Sequence, residues 1–213
     1  QMSKITQTDE QVDYAKIMFS HHKAVFRQLD GISTLDWRNE DGSSDYYVRY
    51  VFDEERCCLY LSGDLGSAVV RLTERATLQT LSHYINSVDY FMEKIRCSTN
   101  LYCYDAEIAK EDLTYYVQNY LGSCEEDLSD RKIPLPKEFD VLLESLDERD
   151  GWNLTEEQKI WLSERCPDYW EWLYSTGRYI DTRIILWLVG LQMAWEQVQD
   201  KPCLLYTSPS PRD

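Results

Sequence analysis

Three histidines, seven cysteines and 38 acidic residues are the groups in this 213-residue chain that could do chemistry. His21 and His22 adjoin and His83 stands apart. No His-x-x-x-His zinc spacing occurs, and no serine or cysteine nucleophile context accompanies them. The pair reads as the end of an opening helix, where a cation suits the helix dipole. Cys57, Cys58, Cys97, Cys103, Cys124 and Cys166 form no C-x-x-C pair, so zinc-ribbon and thioredoxin-type sites are excluded. They fit buried free thiols in a reducing compartment. Adjacent Cys57 and Cys58 on a strand would place one thiol on each face. Ser62-Gly63-Asp64-Leu65-Gly66-Ser67 lacks the Lys-Ser/Thr of a phosphate loop and the G-x-G-x-x-G of a dinucleotide loop. It reads as a hairpin turn with glycine at positive φ, and Asp64 as a turn residue rather than a catalytic acid. A glycosidase-like or two-metal acid pair could be drawn from so many carboxylates, but abundance selects none. Binding rather than catalysis is expected, with no cofactor and no metal.

The acids carry more information as a surface than as catalysts. Net charge is −16. Residues 1–103 hold 15 acids and 11 bases, residues 104–171 hold 19 and 7, and residues 172–213 hold four of each. Solubility accounts for a negative total but not for its concentration in the middle third. Such a chain repels nucleic acid and anionic membrane surfaces, so the expected partner is a basic protein. The longest apolar run, Ile184 to Trp195 broken by Gln192, is too short to span a bilayer. Tyr169-Trp170-Glu171-Trp172-Leu173-Tyr174 reads first as core, with Trp170, Leu173 and Tyr174 sharing a helical face. An aromatic interface anchor is the alternative.

The elements that must position these groups follow from periodicity. Thr8 to about His22 reads as a helix with capping-box spacing between Thr8 and Gln11. Val25–Leu29, Ser33–Trp37, Tyr46–Phe52, Cys57–Leu61 and Ala68–Leu72 read as strands. Their turns are short and rich in Gly and Asp, which makes neighbours antiparallel. From Thr77 onward the pattern is helical. Thr77 to about Ser87 reads as one helix, which Val88–Arg96 continues or breaks once; Asp105 caps another, and Thr155 with Gln158 forms a second capping box. The expected fold class is α+β: an N-terminal helix, a meander of four to five strands, and a helical C-terminal half on one sheet face. Residues 1–103 and the acidic helical region 104–202 are expected to form one continuous globule. Residues 203–213, CLLYTSPSPRD, look like a translated sequencing adapter, and Met2 reads as the natural start.

Three stretches carry a resemblance. Asp36-Trp37-Arg38-Asn39-Glu40-Asp41-Gly42-Ser43-Ser44-Asp45-Tyr46-Tyr47-Val48, Ser62-Gly63-Asp64-Leu65-Gly66 and Asp168-Tyr169-Trp170-Glu171-Trp172-Leu173-Tyr174 resemble uncharacterised proteins carried by phages and mobile elements of Firmicutes. In charge and source the chain is similar to anti-CRISPR inhibitors and other DNA-mimic proteins. The resemblance implies a cytoplasmic inhibitor that occupies the DNA-binding groove of a basic protein, Cas9 foremost, with carboxylates replacing phosphates. The expected partner-binding residues are Glu125, Glu126, Asp127 and Asp130, then Asp147, Glu148 and Asp150. Two other classes stay open: an antitoxin-like or anti-restriction protein with a different basic partner, and a hydrolase with an acidic metal site.

Overall fold

The computed structural model describes residues 2–121, 137–166 and 168–199. The fold is α+β. Helix α1 (Met2–Met18) leads into β1 (His22–Leu29), β2 (Ile32–Asn39), β3 (Val48–Asp53), β4 (Cys58–Gly63) and β5 (Ala68–Arg71). Then come α2 (Leu78–Ser82), a 3-10 turn at Tyr84–Ser87, α3 (Val88–Lys94) and β6 (Ile95–Ser98). The six strands form one antiparallel sheet in sequence order. The chain continues through β7 (Tyr102–Tyr104), α4 (Ala106–Leu121), α5 (Glu138–Leu143), β8 (Leu146–Asp147), β9 (Gly151–Trp152), α6 (Glu156–Arg165), α7 (Tyr169–Trp172), β10 (Arg178–Ile180) and α8 (Thr182–Gln199).

Alternation built the sheet as expected. Val48, Tyr50 and Phe52 are fully buried, while Arg49 between them faces out. Leu35, Trp37, Leu59, Leu61 and Val70 extend the same buried side. Helix α8 covers it with an almost unbroken buried run from Ile184 to Leu191, including Trp187 and Leu191. Each large side chain so buried contributes roughly 1.5–3 kcal/mol. The contact is close: the Tyr50 hydroxyl donates to the Trp187 carbonyl at 2.9 Å, and a Cβ on Gly190 would stand 2.7 Å from that hydroxyl. At the β4–β5 turn Gly63 takes φ +143° and Gly66 +87°, and Asp64 accepts from the Tyr46 N–H at 2.9 Å. Ser62–Ser67 is therefore a turn with a structural carboxylate.

Several local expectations need correcting. Helix α1 starts at Met2, so Thr8 lies inside it. It ends at Met18, and His22 opens β1, where it is 3% exposed, with its ring 4.8 Å from Phe19 and 5.6 Å from Trp37. Residues 95–98 form a sixth strand rather than the end of a helix. The edge of β5 offers unpaired backbone groups, and pairing them outweighs continuing α3. The region after residue 105 also holds β8, β9 and β10, each of two or three residues, so it is not wholly helical. Cys57 adopts φ +55°, which turns both adjacent thiols toward carbonyls of one hairpin turn, Glu54 at 4.0 Å and Arg56 at 3.3 Å. The cysteines among the described residues are free thiols. Cys103 is buried, Cys97 is exposed, and Cys57, Cys58 and Cys166 are half-buried.

The chain divides into two compact units: Gln1–Thr99 with the segment from Thr182 onward, and Asn100–Asp181. The sequence reading put a single division at residue 103 and kept the last helix with the acidic region. Instead α8 belongs with the sheet whose apolar side it covers. Residues 203–213 lie outside the described residues.

Candidate protein-binding surface

The second unit is organised around Ala109, Leu113, Phe139, Leu142, Trp152, Leu162, Tyr169, Trp172 and Leu173. The expected caps hold its helices. Asp105 accepts from the N–H groups of Glu107 and Ile108 at 2.8 and 3.0 Å, and Thr155 and Gln158 form a reciprocal capping box. Strand β7 pairs with β10 through Tyr102↔Ile180 and Tyr104↔Arg178.

Strands β8 and β9 form a small hairpin that gathers three of the seven expected site residues. The Asp147 carboxylate accepts from the N–H groups of Arg149 and Asp150, both at 2.8 Å. Those backbone bonds hold it below the usual carboxylate range, and its first role is to close the turn. Glu148 and Asp150 are exposed at the tip. Arg149 between them pairs with the buried Asp181 at 3.2 Å while its side chain stays 60% exposed. Cys103 donates to the same Asp181 oxygen at 3.4 Å. Burial pushes its thiol up, so at neutral pH it is a poor nucleophile. Glu125, Glu126, Asp127 and Asp130 lie outside the described residues.

The aromatic stretch divides differently from its expected face. Trp172 and Leu173 point inward, and Trp172 stacks on Tyr116 at 4.8 Å. Trp170 and Tyr174 remain 55% and 44% exposed. The reason is local: at Trp172 the backbone reaches φ −122° and passes from α-helix to a 3-10 turn, which breaks the simple helical spacing. An exposed tryptophan flanked in sequence by exposed Asp168 and Glu171 has the composition of an interface anchor. Trp161 is occupied differently, with the Arg165 guanidinium 4.6 Å from its ring centre.

Among the described residues no group of three or more His, Cys, Asp or Glu could hold a metal ion. Among the same residues no helix is long and apolar enough to cross a membrane.

One cluster escaped the sequence reading. The Asp36 side chain, 8% exposed, accepts from Arg49 Nε at 2.7 Å, Arg49 Nη2 at 3.0 Å, Tyr47 Oη at 2.7 Å and Arg27 Nη1 at 3.2 Å. The bonds from Arg49 hold its carboxyl below the usual range despite burial, and the same bonds push Arg49 up. Burial, then the bond to Asp36, pushes the Tyr47 phenol up. The signal was present in the strand registers, which align Asp36 with Arg49, but these need the pairing to be known.

No protein-family model matches this chain, and no curated protein or solved structure matches it significantly.

Proposed function

We propose that residues 100–181 form an acidic surface that binds a basic nucleic-acid-binding protein, with Cas9 the first candidate, by standing in for DNA at its groove. The observation that carries this reading is the charge of that unit: 20 acids against 8 bases, which leaves it −12 of the chain's −16. The exposed carboxylates of Glu148 and Asp150 on a short turn fit the purpose, because an exposed carboxylate offers arginine the charge-assisted bonds a phosphate would. A second reading, an antitoxin-like or anti-restriction protein with a different basic partner, is favoured by Trp170. A pure phosphate mimic has no need of an exposed indole, whereas an ordinary protein interface is anchored by one.

The test is Cas9 cleavage with the purified protein added before or after target DNA. Inhibition only on addition before DNA is expected. Charge reversal at Glu148 and Asp150, and separately at Glu125, Glu126 and Asp127, should weaken binding far more than reversal at Asp9 and Glu10. Asp147 is left intact because it closes the hairpin turn. Raising salt should slow association steeply. Inhibition indifferent to salt and to these reversals, but lost in Trp170→Ala, would replace mimicry with an apolar interface. No binding to any Cas9 tested would leave the other basic partner ahead.

A further inference from the structure

The uncovered side of the six-stranded sheet has the opposite sign to the chain as a whole. Strand alternation places Lys23, Arg27, Arg38, Arg49 and Arg71 there, all exposed. The acids that β1–β5 place on that side are Asp36 and Asp53, both buried, and each is bound by arginine: Asp36 by Arg27 and Arg49, Asp53 by Arg56 at 3.2 Å. The exposed acids of these hairpins sit at or beside the turns instead, Asp30 and Glu55 at one end and Glu40, Asp41, Asp45 and Asp64 at the other, with Glu40 paired to Lys23 at 3.1 Å. A basic belt therefore crosses the strands between two acidic rims.

The belt is built rather than diffuse. Buried Asp36 fixes the guanidinium plane of Arg49 through two bonds and tethers Arg27 through one, while their side chains stay 48% and 56% exposed, so Arg49 donors not used by Asp36 meet solvent in a set orientation. Beside them the register aligns Val51, Tyr60 and Val69, and Tyr60 is 39% exposed. A flat apolar strip holding an aromatic ring next to these arginines matches one class of ligand. We propose that this face binds single-stranded nucleic acid, with the arginines on phosphates and Tyr60 as the surface on which a base stacks. From β1 to β5 the belt runs about 19 Å, enough for several nucleotides. An acidic protein segment would satisfy the arginines but leave the Tyr60 strip unused. The chain's net charge opposes approach from afar, yet at physiological salt that repulsion is screened within about 8 Å, and contact is decided by the face itself.

The experiment is fluorescence anisotropy of the full chain with a labelled 12-nucleotide RNA, the DNA of the same sequence, the corresponding duplex and a 12-residue oligoglutamate. The single strands should bind, losing about twentyfold in affinity between 50 and 200 mM salt if three phosphates are engaged. Arg71→Glu and Tyr60→Ser should each weaken binding at least tenfold. Neither side chain bonds to Asp36, and an unchanged melting temperature checks that the sheet is intact. The proposal is overturned by no single-strand binding at 50 mM salt, by binding that both variants leave unaltered, or by oligoglutamate or duplex binding as tightly as the single strands.

Discussion

His22 shows how one side chain can tie a fold to pH. Its ring lies between Phe19 and Trp37, and neither ring nitrogen makes a hydrogen bond of full geometry to the described residues. Burial lowers its pKa from the ordinary 6.5, and the nearby backbone of Asp45 and Tyr46 and the Asp41 charge offset only part of that. The unfolded chain takes up a proton as pH falls through about 6.5, while the folded chain refuses it until a lower pH. Stability is therefore complete above that value and declines below it, by at most about 1.4 kcal/mol per pH unit for this one site. Thermal melts between pH 7.5 and 5 should show the decline, and His22→Gln should flatten it whatever its effect on stability at neutral pH. A slope unchanged in that variant would assign the titration elsewhere. Asp36 contributes in the same direction but at lower pH: its lowered pKa means its bonds to arginine are lost only as pH falls below about 4. Neither behaviour could be read from residue types, since a histidine at position 22 suits a helix end equally well until the strand register is known.

At the scale of elements, the contact between α8 and the sheet offers a sharp test. Gly190 is the point where the helix backbone meets Tyr50 and Trp37, whose nearest atoms would lie 2.7 and 3.2 Å from an added Cβ. Gly190→Ala should force the Tyr50 hydroxyl away from the Trp187 carbonyl and destabilise by about 1–3 kcal/mol, the usual range for overpacking. Tyr50→Phe alone should cost about 1 kcal/mol for the lost bond. Because it also removes the obstructing oxygen, the double variant should be clearly more stable than the sum of the two single effects. Additivity in urea denaturation would show that Trp37, and not Tyr50, limits the approach. The helix itself was legible in the sequence, as a run apolar nearly all round. The sixth strand was not, because residues 95–98 are too short for their period to separate strand from helix, and the free edge of β5 decides.

For the whole molecule, the path of the chain matters as much as its charge. The acidic unit leaves the first at residue 100 and returns at 181, and the strands that begin and end it, β7 and β10, are hydrogen-bonded to each other. The two joints are thus close, as in a tolerated domain insertion. Thr99 and Arg183, on either side of the insertion, are 3.4 Å apart at their side-chain tips. Replacing residues 100–181 by a Gly-Ser linker of about four residues should leave a folded first unit with a cooperative melt and a net charge near −4. A non-cooperative melt or collapsed near-UV circular dichroism would mean that the sheet and α8 need the acidic unit in order to fold.

Composition and periodicity determined the fold class, the antiparallel meander, the central place of α8 and the uneven charge, because each depends on neighbours a few residues apart in the chain. They also yielded the caps at Asp105 and Thr155 and the turn at Ser62–Ser67, where local hydrogen bonding is enough. Tertiary structure alone decided which residues act together. It returned α8 to the first unit, turned Trp170 outward and Trp172 inward, and closed Arg27, Tyr47 and Arg49 on Asp36. Counted along the chain, residues 1–103 are acidic by four charges. Strand pairing sorts alternate residues of five strands onto one side, and on that side the bases prevail. A sum over sequence cannot show this, because a pleated sheet separates adjacent residues to opposite faces and joins residues many positions apart.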